Sequence, residues 1–245
     1  MKNSVALLLI LSFLSLTIFA QKNTLSKGQN LLWTRYHVTA QLSPKVSWVN
    51  EADNRVFIED FKQAQFIAHT HLHYKTSSAT EASLGFTYAK TEPANPYVTY
   101  RLGVPELRPF QEFYIRQTLN SKWRVQQRFR SEQRFFRKNN GIELSEGYMF
   151  NWRFRYQFSV NYALSPKWAL KAHDELFINA GKNIIYNTFD ANRLYLAAAY
   201  KAFKPLTVEL GFLKSIQQAK DGITYVDRNN IRFTIFHTLN FSKNR

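Results

Sequence analysis

Between Tyr148 and Leu164 apolar and polar positions alternate along the chain. Tyr148, Phe150, Trp152, Phe154, Tyr156, Phe158, Val160, Tyr162 and Leu164 are apolar or aromatic, and Asn151, Arg153, Arg155, Gln157, Ser159 and Asn161 between them are polar. A β-strand turns successive side chains to opposite faces, so this segment predicts one ribbon with a greasy face and a charged face. The pattern recurs. Leu32, Thr34, Tyr36, Val38, Ala40 and Leu42 alternate with Trp33, Arg35, His37, Thr39 and Gln41. Phe66, Ala68, Thr70, Leu72 and Tyr74 alternate with Gln65, Ile67, His69, His71 and His73. Trp123, Val125, Phe129 and Phe135 oppose Arg124, Arg128, Arg130, Glu132 and Arg134, and Leu194, Leu196, Ala198 and Tyr200 oppose Arg193, Tyr195 and Ala197. Ile231, Phe233, Ile235, Leu239 and Phe241 oppose Arg232, Thr234, Thr238 and Asn240, with a weaker version at Val208, Leu210 and Phe212 against Thr207, Glu209 and Gly211.

Alternation alone also fits a secreted soluble β-protein whose apolar face is the inside. Two features favour the inverted arrangement. The strands read as roughly 12 to 17 residues, against about 5 to 6 in soluble sheets, and a tilted membrane strand needs about 9 to 11 residues in the hydrocarbon alone. The polar faces also carry Arg and Glu at strand centres, where a solvated surface would carry Thr, Ser and Lys. The expected fold is an all-β transmembrane, antiparallel up-and-down β-barrel.

The turns orient it. Leu42-Ser43-Pro44-Lys45, Leu119-Asn120-Ser121-Lys122 and Leu164-Ser165-Pro166-Lys167 are similar short turns, each soon followed by a tryptophan of apolar parity: Trp48, Trp123 and Trp168. Three tryptophans at one height predict an interfacial aromatic girdle. Lys204-Pro205 is a fourth such turn. Short turns belong on the periplasmic side, which makes the longer connections near 90–107, 138–147, 180–188 and 218–230 extracellular. Candidate strands start near 31, 46, 63, 81, 109, 122, 148, 168, 190, 206 and 230, eleven in all. Even strand numbers are the rule for bacterial single-chain barrels, so ten or twelve is the expectation. This orientation leaves the N-terminus on the outer side unless residues 21–30 return through the lumen or add a strand.

Composition bears on compartment and partners. Lys2, the apolar run Val5 to Phe19 and Ala20 before Gln21-Lys22-Asn23 have the tripartite form of a cleaved secretory signal peptide over 1–20, although Ile18 stands where a small residue is usual. Residues 21–245 then form one domain. No cysteine is present, so no disulfide framework holds an exported fold together. Beyond the signal peptide no apolar stretch is long enough for a transmembrane helix. Lys and Arg outnumber Asp and Glu 33 to 17, an excess that fits nucleic acid, anionic lipid or a basic cavity. Export argues against nucleic acid. Aromatic residues make up 16% of the chain, more than a soluble core of this size needs.

The run Arg128-Phe129-Arg130-Ser131-Glu132-Gln133-Arg134-Phe135, followed by Arg153-Phe154-Arg155-Tyr156, Asp174-Glu175-Leu176-Phe177 and Asn192-Arg193-Leu194-Tyr195, resembles the domain-of-unknown-function 2490 family. Its members are outer-membrane barrel proteins found mainly in Bacteroidota. The resemblance covers most of the mature chain, including the start at Trp33 and the Ser-Pro-Lys turns. It implies a β-barrel in the outer membrane of a Gram-negative bacterium and brings no established activity, so it assigns no catalytic residue.

Candidate chemistry is confined to the polar faces. Arg128, Arg130, Glu132, Arg134, Arg153, Arg155, His173, Glu175 and Arg193 fall on successive inward faces, joined by Glu112 with Arg116 and Glu51 with Arg55. Arginine forks pair bidentately with carboxylates, so these strands can be cross-linked through the lumen. The first reading is a mainly structural network; the alternative is a small anion-selective or ligand-binding channel. His69, His71 and His73 share one face at a spacing that can chelate Zn²⁺ or Cu²⁺, but no carboxylate or cysteine nearby in sequence completes a set, and polar lining is the expectation. A barrel enzyme acting on membrane lipids is disfavoured because no histidine has a serine two residues away, and the lumen carboxylates have arginines beside them. No cofactor is expected. The expected partners are outer-membrane lipid, the barrel-assembly machinery during biogenesis and small anionic solutes.

Overall fold

The computed structural model describes residues 24–25 and 28–242; the predicted signal peptide lies outside them. Eleven long strands follow one another: β2 (Gln29–Gln41), β3 (Val46–Phe57), β4 (Gln63–Lys75), β5 (Thr80–Thr91), β6 (Val104–Thr118), β7 (Trp123–Asn139), β8 (Leu144–Ala163), β9 (Trp168–Ala180), β10 (Phe189–Phe203), β11 (Leu206–Gln218) and β12 (Thr224–Asn240). Each is antiparallel to the next, and β12 returns to β2, which closes the sheet into a barrel. The two-residue β1 (Thr24–Leu25) lies along β12 beyond the start of β2, with Thr24 opposite Thr224. These residues therefore sit at the end of the longer connections and, at two residues, add no further strand across the barrel wall.

The strand count corrects the expectation of ten or twelve. With eleven strands, the first and the last point the same way, and β2 pairs with β12 in parallel, from Gln29 opposite Arg228 to Gln41 opposite Asn240. A parallel ladder is slightly less stable per residue than an antiparallel one, but it leaves no open edge. The seam is testable because the chain has no cysteine. Thr34 and Phe233 stand opposite each other on its outer side, and adjacent strands about 4.8 Å apart suit a disulfide. Oxidised Thr34→Cys with Phe233→Cys is expected to form an intramolecular cross-link, whereas Thr34→Cys with Ile235→Cys is not. Absence of the first cross-link on non-reducing gels would remove the parallel closure.

Side-chain caps shape the short turns. Ser43 Oγ accepts from the amide of Val46 at 3.0 Å, Ser77 Oγ from Thr80 at 3.0 Å, Asn120 Oδ1 from Trp123 at 2.9 Å and Ser165 Oγ from Trp168 at 3.1 Å. These are the local hydrogen bonds that make Ser and Asn turn formers. At the opposite end Asp221 takes the same role, accepting from the Thr224 hydroxyl at 2.6 Å and amide at 2.9 Å. Those bonds lower its carboxyl below the ordinary range.

Several strands run further than the alternation predicts. β6 begins at Val104, β8 at Leu144 and β12 at Thr224, so the connections expected near 90–107, 138–147 and 218–230 shrink to 92–103, 140–143 and 219–223. The apolar face fades in these extensions while the backbone ladder continues, and hydrogen bonding does not require an apolar face. The ladder between β6 and β7 breaks only beside Pro109, which has no amide hydrogen to give.

The barrel is inverted relative to a soluble domain. Among the described residues, buried polar or charged side chains outnumber buried hydrophobic ones 24 to 15, so the core is mostly polar. The outward positions carry Leu72, Leu84, Phe86, Phe154, Leu196, Leu210 and Phe212 in the open. Inward glycines make room for large rings from the neighbouring strand. A Cβ on Gly85 would overlap Phe110, and one on Gly211 would meet the Tyr195 ring at 2.5 Å.

Candidate functional site

The barrel encloses a cavity of about 1930 Å³. Its lining begins at Gln41, Ser47, Lys75 and Asn161 beside the short turns and ends at Tyr100, Ile185 and Asp221 beside the longer connections. The 92–103 connection leans over the latter end, tied there by Gln29 Nε2 to the Ala94 carbonyl at 2.5 Å and by Lys62 Nζ to the Pro96 carbonyl at 3.1 Å.

Strand parity delivers the wall, and five carboxylates organise one side of it. Glu132 receives Arg130 at 2.8 Å, Arg153 at 2.5 Å and Arg155 at 2.8 Å. Glu175 takes Arg155 at 2.7 Å and Arg128 at 2.5 Å. Glu112 takes Arg130 at 3.2 Å and Arg128 at 3.6 Å. Glu106 is clasped by Arg108 at 2.5 Å and Arg134 at 2.6 Å, and Asp190 bridges Arg153 at 3.2 Å to Arg134 at 3.7 Å. Each arginine that serves two carboxylates links strands, so β6 to β10 are stitched together through their side chains as well as their backbones. Two smaller groups complete the wall. Arg35 joins Glu51 at 3.1 Å to Asp53 at 2.7 Å, and Glu209 holds Lys171 at 2.6 Å, Arg232 at 3.2 Å and the Tyr195 hydroxyl at 2.7 Å.

Of the residues predicted for this network, Arg128, Arg130, Glu132, Arg134, Arg153, Arg155 and Glu175 are joined by these ion pairs. Arg193 and His173 are not. Arg193 makes no ion pair or hydrogen bond among the described residues; its guanidinium lies 4.6 Å from the Phe177 ring and 5.8 Å from the Trp33 ring. His173 packs on Tyr195 with ring centroids 4.8 Å apart. Sequence reasoning left out Asp53, Glu81, Glu106, Arg108, Asp190, Glu209 and Arg232. Glu106 and Arg108 were hidden by the late start assigned to β6. Glu209 and Arg232 were legible, since the parity that turns Leu210 and Phe233 outward turns both inward.

Trp33 is the inward exception among the tryptophans. Arg55 stacks on it at 3.6 Å, with Arg232, Arg35 and Arg193 within 5.4 to 5.8 Å. Four guanidiniums around one indole draw on the negative face of the ring and lessen the mutual repulsion of the cations. Trp48, Trp123 and Trp168 all point outward beside the short turns. Tyrosines join two of them, with Trp123 and Tyr162 centroids 4.6 Å apart and Trp168 and Tyr200 4.8 Å apart.

The three histidines of β4 separate. His69 turns to the Thr87 hydroxyl at 2.6 Å, whereas His71 Nδ1 and His73 Nε2 meet at 2.8 Å. The carboxylate missing from the local sequence arrives from β6, as Glu112 Oε2 lies 3.6 Å from His71 Nδ1.

A closed β-barrel with an apolar exterior and an ion-paired interior is the class that fold and lumen define. The chain belongs to the family described as Protein of unknown function (DUF2490), which it matches over residues 30–226. A search of curated proteins returns no match. Matching solved structures include one titled as the NanC porin structure in a rhombohedral crystal form; the two chains are 10% identical, with 80% of this chain and 92% of that one covered at a TM-score of 0.49.

Proposed function

We propose that the protein is a non-enzymatic outer-membrane barrel of a Gram-negative bacterium whose stiffened lumen binds and passes small anions. Three features support the location. The apolar exterior suits lipid, the outward tryptophans beside the short turns suit one membrane interface, and the N-terminal sequence suits export. Enzymatic chemistry finds little support: the lumen carboxylates are held by cations, and Thr87, the hydroxyl bonded to His69, is fully buried. On this reading the Arg/Glu network also stiffens the wall by linking its strands.

The observation that carries anion passage is the cavity lined from one end of the barrel to the other, together with the cations left over along it. Among the described residues Arg193 makes no close ion pair, although Glu175 stands opposite it on β9, and Arg228 makes its hydrogen bonds to the side-chain oxygens of Gln29 and Gln217, both at 2.9 Å. Guanidiniums on a narrow wall that are not clasped by a carboxylate favour anions. In planar bilayers under a salt gradient, the reversal potential is expected to mark anion selectivity, and Arg193→Glu with Arg228→Glu is expected to lower or invert it. A barrel that stays electrically silent even after Arg130→Ala plus Arg153→Ala has a closed, purely structural lumen, and the conduit reading falls.

A further inference from the structure

We propose that His71, His73 and Glu112 form a binding site for a divalent transition-metal ion of the Zn²⁺ class on the lumen wall. The site is independent of anion passage and follows from how three strands place their side chains. His71 and His73 are two residues apart on β4 and so point the same way. Glu112 belongs to β6, with β5 between. There β5 offers only Gly85 opposite His71 and Ser83 opposite both His73 and Glu112, so side chains of β4 and β6 meet across it. Phe110 lies over Gly85 and closes one side, its ring centroid 5.5 Å from that of His71.

The donor atoms of the three residues lie within 4.8 Å of one another. Metal–ligand bonds of about 2.0–2.2 Å in tetrahedral geometry put donors about 3.3–3.5 Å apart. The observed 2.8 Å between the imidazoles and 3.6 Å from His71 Nδ1 to Glu112 Oε2 straddle that spacing. Small rotamer adjustments would seat an ion. His71 and His73 line the cavity, which leaves a side from which water can supply a fourth ligand.

Proton placement strengthens the case. His71 Nε2 faces Glu51 Oε1 at 3.1 Å, and His73 Nδ1 faces Glu81 Oε1 at 2.6 Å. A carboxylate accepts and a neutral imidazole carries one N–H, so each ring directs its hydrogen outward to its carboxylate. The two inner nitrogens, 2.8 Å apart, are then both lone pairs aimed at one point. Only a cation between them, a metal ion or an extra proton, relieves that. A carboxylate behind each histidine is also the arrangement that orients metal-binding imidazoles. Arginines hold the far oxygens: Arg35 on Glu51, Arg116 on Glu81 at 2.8 Å, and Arg130 and Arg128 on Glu112 Oε1. Glu112 Oε2 accepts from Ser83 at 2.9 Å and Tyr114 at 2.8 Å and stays turned toward the imidazoles.

Titration of the detergent-folded barrel with Co²⁺ tests this. Visible absorption bands of a low-coordinate N/O site are expected, saturating at one ion per chain and erased by Zn²⁺. His71→Gln with His73→Gln is expected to abolish them, His69→Gln to leave them unchanged, and Glu81→Gln to weaken binding about tenfold to a hundredfold. Heat-modifiable gel migration checks the fold of each variant. If the double variant does not fold, Cu²⁺ bound to the unaltered barrel decides: its electron paramagnetic resonance spectrum is expected to show coupling to two imidazole nitrogens. No saturable Co²⁺ signal, bands that survive in a folded double variant, or no nitrogen coupling would each overturn the site in favour of a proton shared between the rings.

Discussion

Glu132→Ala is expected to lower the unfolding free energy of the detergent-folded barrel by about 3–5 kcal/mol, toward the lower end of the cost of removing one partner from a buried ionic cluster. The Glu132 side chain has no solvent exposure and receives Arg130, Arg153 and Arg155. Its loss leaves three guanidiniums confined in the lumen with their common counter-ion gone. Each retains a second carboxylate, Glu112 for Arg130, Asp190 for Arg153 and Glu175 for Arg155, which is why the lower end applies. Glu132→Gln keeps the shape and two hydrogen-bonding groups and is expected to cost less. Urea unfolding followed by tryptophan fluorescence measures both. A change below about 0.5 kcal/mol, as for an ordinary surface position, would show that the network does not hold the barrel together.

The second large effect separates a lipid-facing exterior from a water-facing one. Leu196 sits at the middle of β10, 55% exposed on the outer wall, opposite Ala172 on one side and Phe212 on the other. If that wall meets hydrocarbon, Leu196→Arg places a charge near the bilayer midplane and is expected to destabilise the folded state in phospholipid vesicles by about 2–4 kcal/mol. In a soluble barrel the same exposed position would tolerate arginine within about 0.5 kcal/mol. An unchanged folding equilibrium in vesicles would therefore overturn the membrane assignment, whatever the lumen does.

Both positions are legible in the sequence, because strand parity is a local property. Once Tyr148–Leu164 is read as a ribbon, Arg153 and Arg155 must share the face opposite Trp152 and Phe154, and the same rule turns Glu132 inward and Leu196 outward. Strand starts near 46, 63, 168 and 206 coincide with β3, β4, β9 and β11, since turn-forming residues mark most of those boundaries. Parity fails where the apolar face stops before the ladder does. Residues 104–107 read as the end of a polar connection and the next strand as starting near 109, which leaves Glu106 and Arg108 outside it.

Closure was not legible. Eleven strands were visible along the chain, but the pairing of β12 with β2 joins residues about two hundred positions apart, and nothing local distinguishes a parallel seam from a missed strand. The lumen partnerships are of the same kind. Parity says that Arg128 and Glu175 both face inward, yet their 2.5 Å contact joins strands that are not neighbours and depends on how the barrel curves. So does the lack of a close ion pair at Arg193 among the described residues.

The histidines of β4 show the division most plainly. Alternation alone put His69, His71 and His73 on one inward face. Tertiary structure chose between them, because Gly85 and Ser83 on the intervening strand leave space through which Glu112 reaches His71 and through which Phe110 closes over it. The sequence by itself determined which face each side chain takes, since that follows from the two-residue period of an extended backbone. Strand number, the parallel seam and the partners across the lumen were decided only by closure, which brings together groups that no local period relates.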